Sequence, residues 1–299
     1  MRTSKVLFVV IIIFGLLSFS LARGPGKGKA GETSVSLEDL KNRDTQLQTA
    51  GKIFRGNIQA LKPLKKIAIA EFTVCYLTSY EDERMGLETQ MKLAFNDDNF
   101  RQGSDLLYDS FVKKFQDAGY EVVPKADVQA NANFQKLAGK DSEDMINYTM
   151  EDKKTMKFRM IPATGFKATG GGIGAFGSGE AANALAQMGN RSLYPRITKD
   201  LGADATITVH LNVGFDKNFK LVVFWSRSGV SLMKIYQGFT DDGHDNVAAV
   251  NEYEIHNSFF TLTEALNVSG KELTFKEYMD NMDMLQNSLL DCLLTAAKQ

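Results

Sequence analysis

Between Lys65 and Cys75 runs Ile67-Ala68-Ile69-Ala70-Glu71-Phe72-Thr73-Val74, a nearly continuous apolar segment. A run this short and this apolar is buried on both faces, which places it in the middle of a sheet. The next seventy residues fix the kind of sheet. Leu107, Phe111 and Phe115, flanked by Tyr108 and Val112, fall on one face of a helix from Ser104 to Ala118. Gly119 stands where a left-handed cap belongs. Tyr120-Glu121-Val122-Val123 is a short strand ended by Pro124, and Asp127 is placed to cap a second helix running to about Leu137. Strand, helix, strand, helix is the order of a parallel sheet with crossover helices.

The second half adds strands of another kind. After a helical stretch at about 192–201, stopped by Gly202, comes a long strand from Ala203 to Val213. Short turns then join it to Lys220–Trp225 and Val230–Tyr236, an antiparallel meander. Thr274 and Glu277 form a capping box for a last helix, whose Phe275, Tyr278, Met282, Leu285, Leu289 and Leu293 make one apolar stripe. The predicted fold is α/β: a three-layer mixed sheet, parallel in its first half with an antiparallel meander added, and helices packed on the faces. Residues 23–64 read as a flexible leader and a weak helical arm. Residues 65–299 read as a single α/β domain with a Gly-rich insertion at about 139–190. Hydrophobic residues at 43% and charged residues at 24% are a globular balance, which excludes a disordered or fibrous chain.

Residues 1–22 read as a signal peptide. Arg2 and Lys5 give a positive start, Val6 to Leu17 an apolar centre too short to span a bilayer, and Ser20-Leu21-Ala22 a small-x-small cleavage pattern. The mature chain is therefore expected to be exported, periplasmic or secreted, and without a transmembrane segment. Cleavage leaves 33 basic residues against 36 acidic ones, so no basic excess favours nucleic acid. In an oxidising compartment Cys75 and Cys292 are a candidate disulfide; two separately buried thiols are the other reading.

Lys66 to Phe72, Asp105-Leu106-Leu107, Gly119 to Val123 and Leu201-Gly202-Ala203-Asp204-Ala205 form a series. Over roughly residues 65–240 that series resembles the amino-terminal domain shared by TolB-type periplasmic proteins and CsgG-type curli-secretion proteins. The resemblance implies a three-layer α/β fold in the bacterial envelope, used to bind or assemble other proteins, and no catalysis. An envelope protein is the expected partner, and a homo-oligomer is left open.

Signals for chemistry are sparse. Gly172-Ile173-Gly174-Ala175-Phe176-Gly177 matches G-x-G-x-x-G, but no strand precedes it and no acidic residue closes a following one, so it reads as a loop. His210 falls inside a strand, where a structural role is the default, and His256 has no obvious partner. Asp241-Asp242-Gly243-His244-Asp245 lacks the alternation and the distal Glu of a calcium loop. Neither a G-x-S-x-G elbow nor H-E-x-x-H occurs. No catalytic, cofactor-binding or metal residue is assigned and no cofactor is expected. Two other functions stay open: a secreted hydrolase with its site near the 139–190 insertion, and a ring-forming secretion component.

Overall fold

The structure, a computed structural model, describes residues 33–82, 91–93, 95–149, 154–168, 180–215, 222–225, 231–243, 247–258, 260–262 and 273–299. Residues 1–22, read above as a signal peptide, residues 23–32 of the expected leader and the 172–177 glycines lie outside them. A short strand, β1 (Thr33–Val35), leads to helices α1 (Leu37–Lys41) and α2 (Arg43–Ile53). Ser36 caps α1 in a capping box with Asp39, and Asn42 accepts from the Asp44 amide to start α2. The stretch expected as a weak arm is thus two capped helices with Leu40, Ala50 and Ile53 buried.

β2 (Phe54–Gly56) and a 3-10 turn at Ile58–Leu61 precede β3 (Lys66–Asp82). The predicted apolar run is only the first half of β3. At its full 17 residues the strand is about 56 Å long. β4 (Met91–Lys92) returns against its far end, and α3 (Asp97–Asp117) comes next. α3 begins at Asp97 rather than Ser104, because Asn96 and Asn99 form a capping box out of residues that read as a turn. Gly119, at φ +96°, ends the helix as expected. β5 (Glu121–Val122) then pairs parallel to β3, with Val122 opposite Ile67. The single helix expected to Leu137 is two, α4 (Lys125–Ala130) and α5 (Ala132–Gln135), since Asn131 breaks the first and caps the second.

The segment read as an insertion holds a hairpin, β6 (Glu143–Thr149) and β7 (Lys154–Pro162), laid antiparallel along β3 from Thr73 to Asp82. Next come α6 (Glu180–Asp200), β8 (Ala205–Phe215), β9 (Val222–Trp225) and β10 (Met233–Gln237). The small pair β11 (Thr240–Asp241) and β12 (Val247–Ala248) precedes β13 (Asn251–Asn257) and β14 (Phe260–Leu262), which pairs parallel to β1. α7 (Phe275–Ala297) closes the chain, with the Thr274–Glu277 capping box in place.

The main sheet runs β2-β13-β10-β8-β3-β7-β6 among the described residues, with β4, β5 and β9 paired to its long strands. It is a mixed α/β sheet with helices packed around it: β3 and β8 are parallel, and antiparallel strands extend it on both sides. The meander differs from expectation. β9 and β10 both lie along one edge of β8, against 212–215 and 205–209, and the Leu232 carbonyl between them accepts from the His210 amide at 2.9 Å. β8 is long enough to pair with both. β13, not β9, is the neighbour of β10.

α3 and α7 cover one face of this sheet and α6 covers the other. On β3 the α3/α7 face takes Ile67 and Ile69, then changes phase and takes Phe72, Val74 and Tyr76. The change is a β-bulge at Ala70, which has no partner on β8 while Ile69 pairs with Ile207 and Glu71 with Thr208. Phe72 packs edge-on against Tyr108 and Phe111 at 5.5 and 5.6 Å, and Tyr76 lies 4.6 Å from Phe100 and 6.5 Å from Tyr278. Val209, Leu211, Met233, Ile235 and Ile255 continue this apolar layer across β8, β10 and β13.

Candidate functional site

The bulge decides where the buried charge goes. In unbroken alternation Glu71 would follow Ile67 and Ile69 into the apolar layer; the extra residue at Ala70 turns it to the α6 face. There it heads a polar band that crosses four strands. β3 contributes Glu71 and Thr73, β8 contributes Thr206, Thr208 and His210, β10 contributes Lys234 and Tyr236, and β13 contributes Glu252, Glu254 and His256.

At its inner end the Glu71 side chain is 1% exposed. Thr73 Oγ1 donates to its Oε1 at 3.4 Å, and Tyr194 from α6 donates to Oε2 at 3.3 Å. His210 Nε2 stands 3.7 Å from the same oxygen. These donors are what makes a carboxylate tolerable in so dry a place. The Tyr194 ring lies 4.6 Å from that of Tyr236. Burial, aided by the charges of Glu252 and Glu71, pushes the Tyr236 phenol well above its usual range. Arg191 on α6 grips Glu252 through Nε at 2.8–2.9 Å and Nη2 at 2.7 Å.

The outer end opens to solvent, with Glu254 50% exposed. Its carboxylate lies 3.1 Å from Lys234 Nζ and 3.3 Å from His256 Nε2. Partial burial pushes its pKa up, but Lys234, Ser231 and His256 outweigh that and hold the group below the usual carboxylate range. Ser231, fully buried, places its Oγ 3.5 Å from His256 Nε2. A serine nucleophile needs its base held by an acid on the other ring nitrogen. Here the serine and the acid approach the same nitrogen, so this Ser-His-Glu group lacks the relay of a hydrolase. It is suited to holding polar groups in place.

His210, singled out in the sequence, lies in β8 as expected and stands beside Glu71, which was hidden inside an apolar run. His256 does have partners: Glu254, two residues back on the same strand, and Ser231, brought in from a distant segment. Asp241 takes the ammonium of Lys199 and accepts from the Gly243 amide at 2.9 Å, while residues 244–246 lie outside the described residues. Among the described residues no group of three or more His, Cys, Asp or Glu is placed to hold a metal. The candidate disulfide is not made. Cys75 and Cys292 are two separately buried thiols, not bonded to each other. Cys75 sits in the row of Glu71 and Thr73, opposite Asn212, whereas Cys292 is on α7 across the sheet and donates to the Leu40 carbonyl at 3.3 Å. Burial, with Asp291 beside it, pushes the Cys292 thiol up to about 12.

The signal that locates Glu71 is present in the sequence: large residues at 67 and 69, then at 72, 74 and 76, with the step of two broken once. Glu254 is marked only by standing two residues before His256, and nothing comparable marks Ser231. No family model, curated protein or solved structure matches the chain.

Proposed function

We propose that this chain is an exported, non-catalytic module of the cell envelope that binds or helps assemble other proteins, in the manner of TolB-type and CsgG-type domains. The observation that carries the reading is the position of β3. The resemblance requires Ile67–Val74 at the centre of the sheet, and this strand lies parallel to β8 and to β5, with Ile69 opposite Ile207 and Ile67 opposite Val122. The single nitrogen shared by Ser231 and Glu254 on His256 weighs against hydrolysis and for a binding role. Among the described residues no helix is long and apolar enough to cross a membrane, which agrees with a mature chain lacking a transmembrane helix.

The test begins with the full chain expressed in a bacterial host, fractionated and measured by intact mass. The expected product is found outside the cytoplasm and begins at Arg23. Chemical cross-linking in the envelope fraction, with identification of the linked peptides, is expected to join surface lysines of this protein to a second protein. A cytoplasmic product that keeps residues 1–22 removes the export half of the proposal. An exported protein with no cross-linked partner and hydrolytic activity lost on Ser231→Ala removes the rest.

A further inference from the structure

Away from the polar band, α1, α2, α3 and α7 enclose a hollow of about 310 Å³. Lys41, Arg43, Lys114 and Lys298 bring four cations to its wall, against the two carboxylates of Asp117 and Asp291. Both carboxylates are already committed. Asp291 receives Lys114 Nζ on both oxygens at 2.8 Å, and Asp117 pairs with Lys113 at 2.7 Å. Among the described residues Lys41, Arg43 and Lys298 have no carboxylate within ion-pair distance.

The floor is fixed and spent as well. The buried Gln46 amide donates to the Leu40 carbonyl at 2.9 Å, and its oxygen accepts from Thr295 Oγ1 at 3.0 Å. The first turn of α2 is closed by Asn42, whose side chain and carbonyl take the amides of Asp44, Thr45 and Gln46. The unspent donors of the hollow are therefore the three cationic heads, on a rigid polar base.

We propose that this hollow binds a phosphomonoester group. Three cations without counter-charge suit a dianion, and the planar fork of Arg43 matches two phosphate oxygens. The volume exceeds a bare phosphate and leaves room for the group esterified to it. The ester is either a free small molecule or the headgroup of an acidic lipid; both present the same oxygens.

The mature chain is titrated calorimetrically with glycerol phosphate at low ionic strength, and sedimented with phosphatidylcholine vesicles with and without phosphatidic acid. A variant carrying Lys41→Gln, Arg43→Gln and Lys298→Gln is compared with a control carrying Lys52→Gln, Lys65→Gln and Lys136→Gln, three exposed lysines elsewhere. Expected is saturable binding that weakens at least about tenfold in the first variant and is unchanged in the control. Arg43→Lys alone should keep part of the affinity. Saturation by glycerol phosphate identifies a free ester, and sedimentation only with phosphatidic acid identifies a headgroup; either supports the site. No binding to either probe, or an equal loss in the control, overturns it. Matching unfolding midpoints of both variants show that the loss is not one of folding.

Discussion

Along β3, residues one position apart meet opposite surroundings. Phe72, Val74 and Tyr76 pack into the layer under α3 and α7, where contacts are aromatic and aliphatic. Glu71 and Thr73 face α6, in a band of carboxylates, hydroxyls, two imidazoles and an ammonium. Apolar burial stabilises in proportion to the area removed from water. A buried polar group, even well bonded, roughly recovers its desolvation cost and contributes specificity more than stability. One face therefore holds the fold together, and the other sets which groups can meet there.

The strongest test attacks the phase of β3 that separates the two faces. Deleting Ala70 removes the extra residue and leaves Ile67, Ile69, Phe72, Val74 and Tyr76 in simple alternation with Glu71 still toward α6, so the cooperative unfolding transition, read by circular dichroism, should remain. Inserting one Ala between Glu71 and Phe72 instead turns Phe72, Val74 and Tyr76 toward α6 and sets Thr73 in the apolar layer. The expected result is loss of that transition. If the insertion is tolerated, the alternation along β3 does not set the division.

Next in size are truncations on either side. Phe72→Ala should cost about 3–5 kcal/mol in urea unfolding, the range for a large buried aromatic. Glu71→Ala should cost about 1–3 kcal/mol by orphaning Thr73 and Tyr194, and Glu71→Gln less. Equal losses at Phe72 and Glu71 would refute the contrast.

The polar band alone adds an acid limb to the stability, while both faces weaken in alkali because Tyr236 is raised as Tyr76 and Tyr278 are. Glu254 is held below its ordinary range, so its contribution is present above about pH 4.3, the unfolded value, and is lost as pH falls. Glu254→Gln should flatten the acid limb of stability, by a small amount because the group is half exposed. Tyr76 and Tyr278 are raised by burial, so their contribution is full below about pH 10 and is lost as the unfolded phenols ionise above it. Tyr278→Phe should flatten the alkaline limb. At neutral pH the same change should cost less than about 0.5 kcal/mol, the smallest of these effects, because the Tyr278 hydroxyl has no hydrogen-bond partner among the described residues.

How much of the molecule was legible varies by element. Ile67 to Val74, the Gly119 cap and the Thr274–Glu277 box were readable because each is local and has one physical meaning. Asn96–Asn99 misled because a capping box and a turn use the same residues. The β6–β7 hairpin was hidden because its pairing with Thr73–Asp82 is a contact between distant segments. Glu254 and His256 share a face because they stand two apart on β13, but Ser231 and Lys234 reach them from a distant segment, which no short pattern records. The separation of Cys75 from Cys292 depends on which side of the sheet each faces, and the bulge at Ala70 changed that parity for one of them.

β3 has a mechanical consequence of its own. Each of its margins is shared end to end by two partners, β5 and β7 on one side and β8 and β4 on the other. A pull applied at Asp82 is carried by an unbroken backbone to Lys66, so load placed on the hairpin end is felt beneath α3 and α7. A body wired in this way has no seam at which its two ends can part, and it should yield to force or heat as one piece.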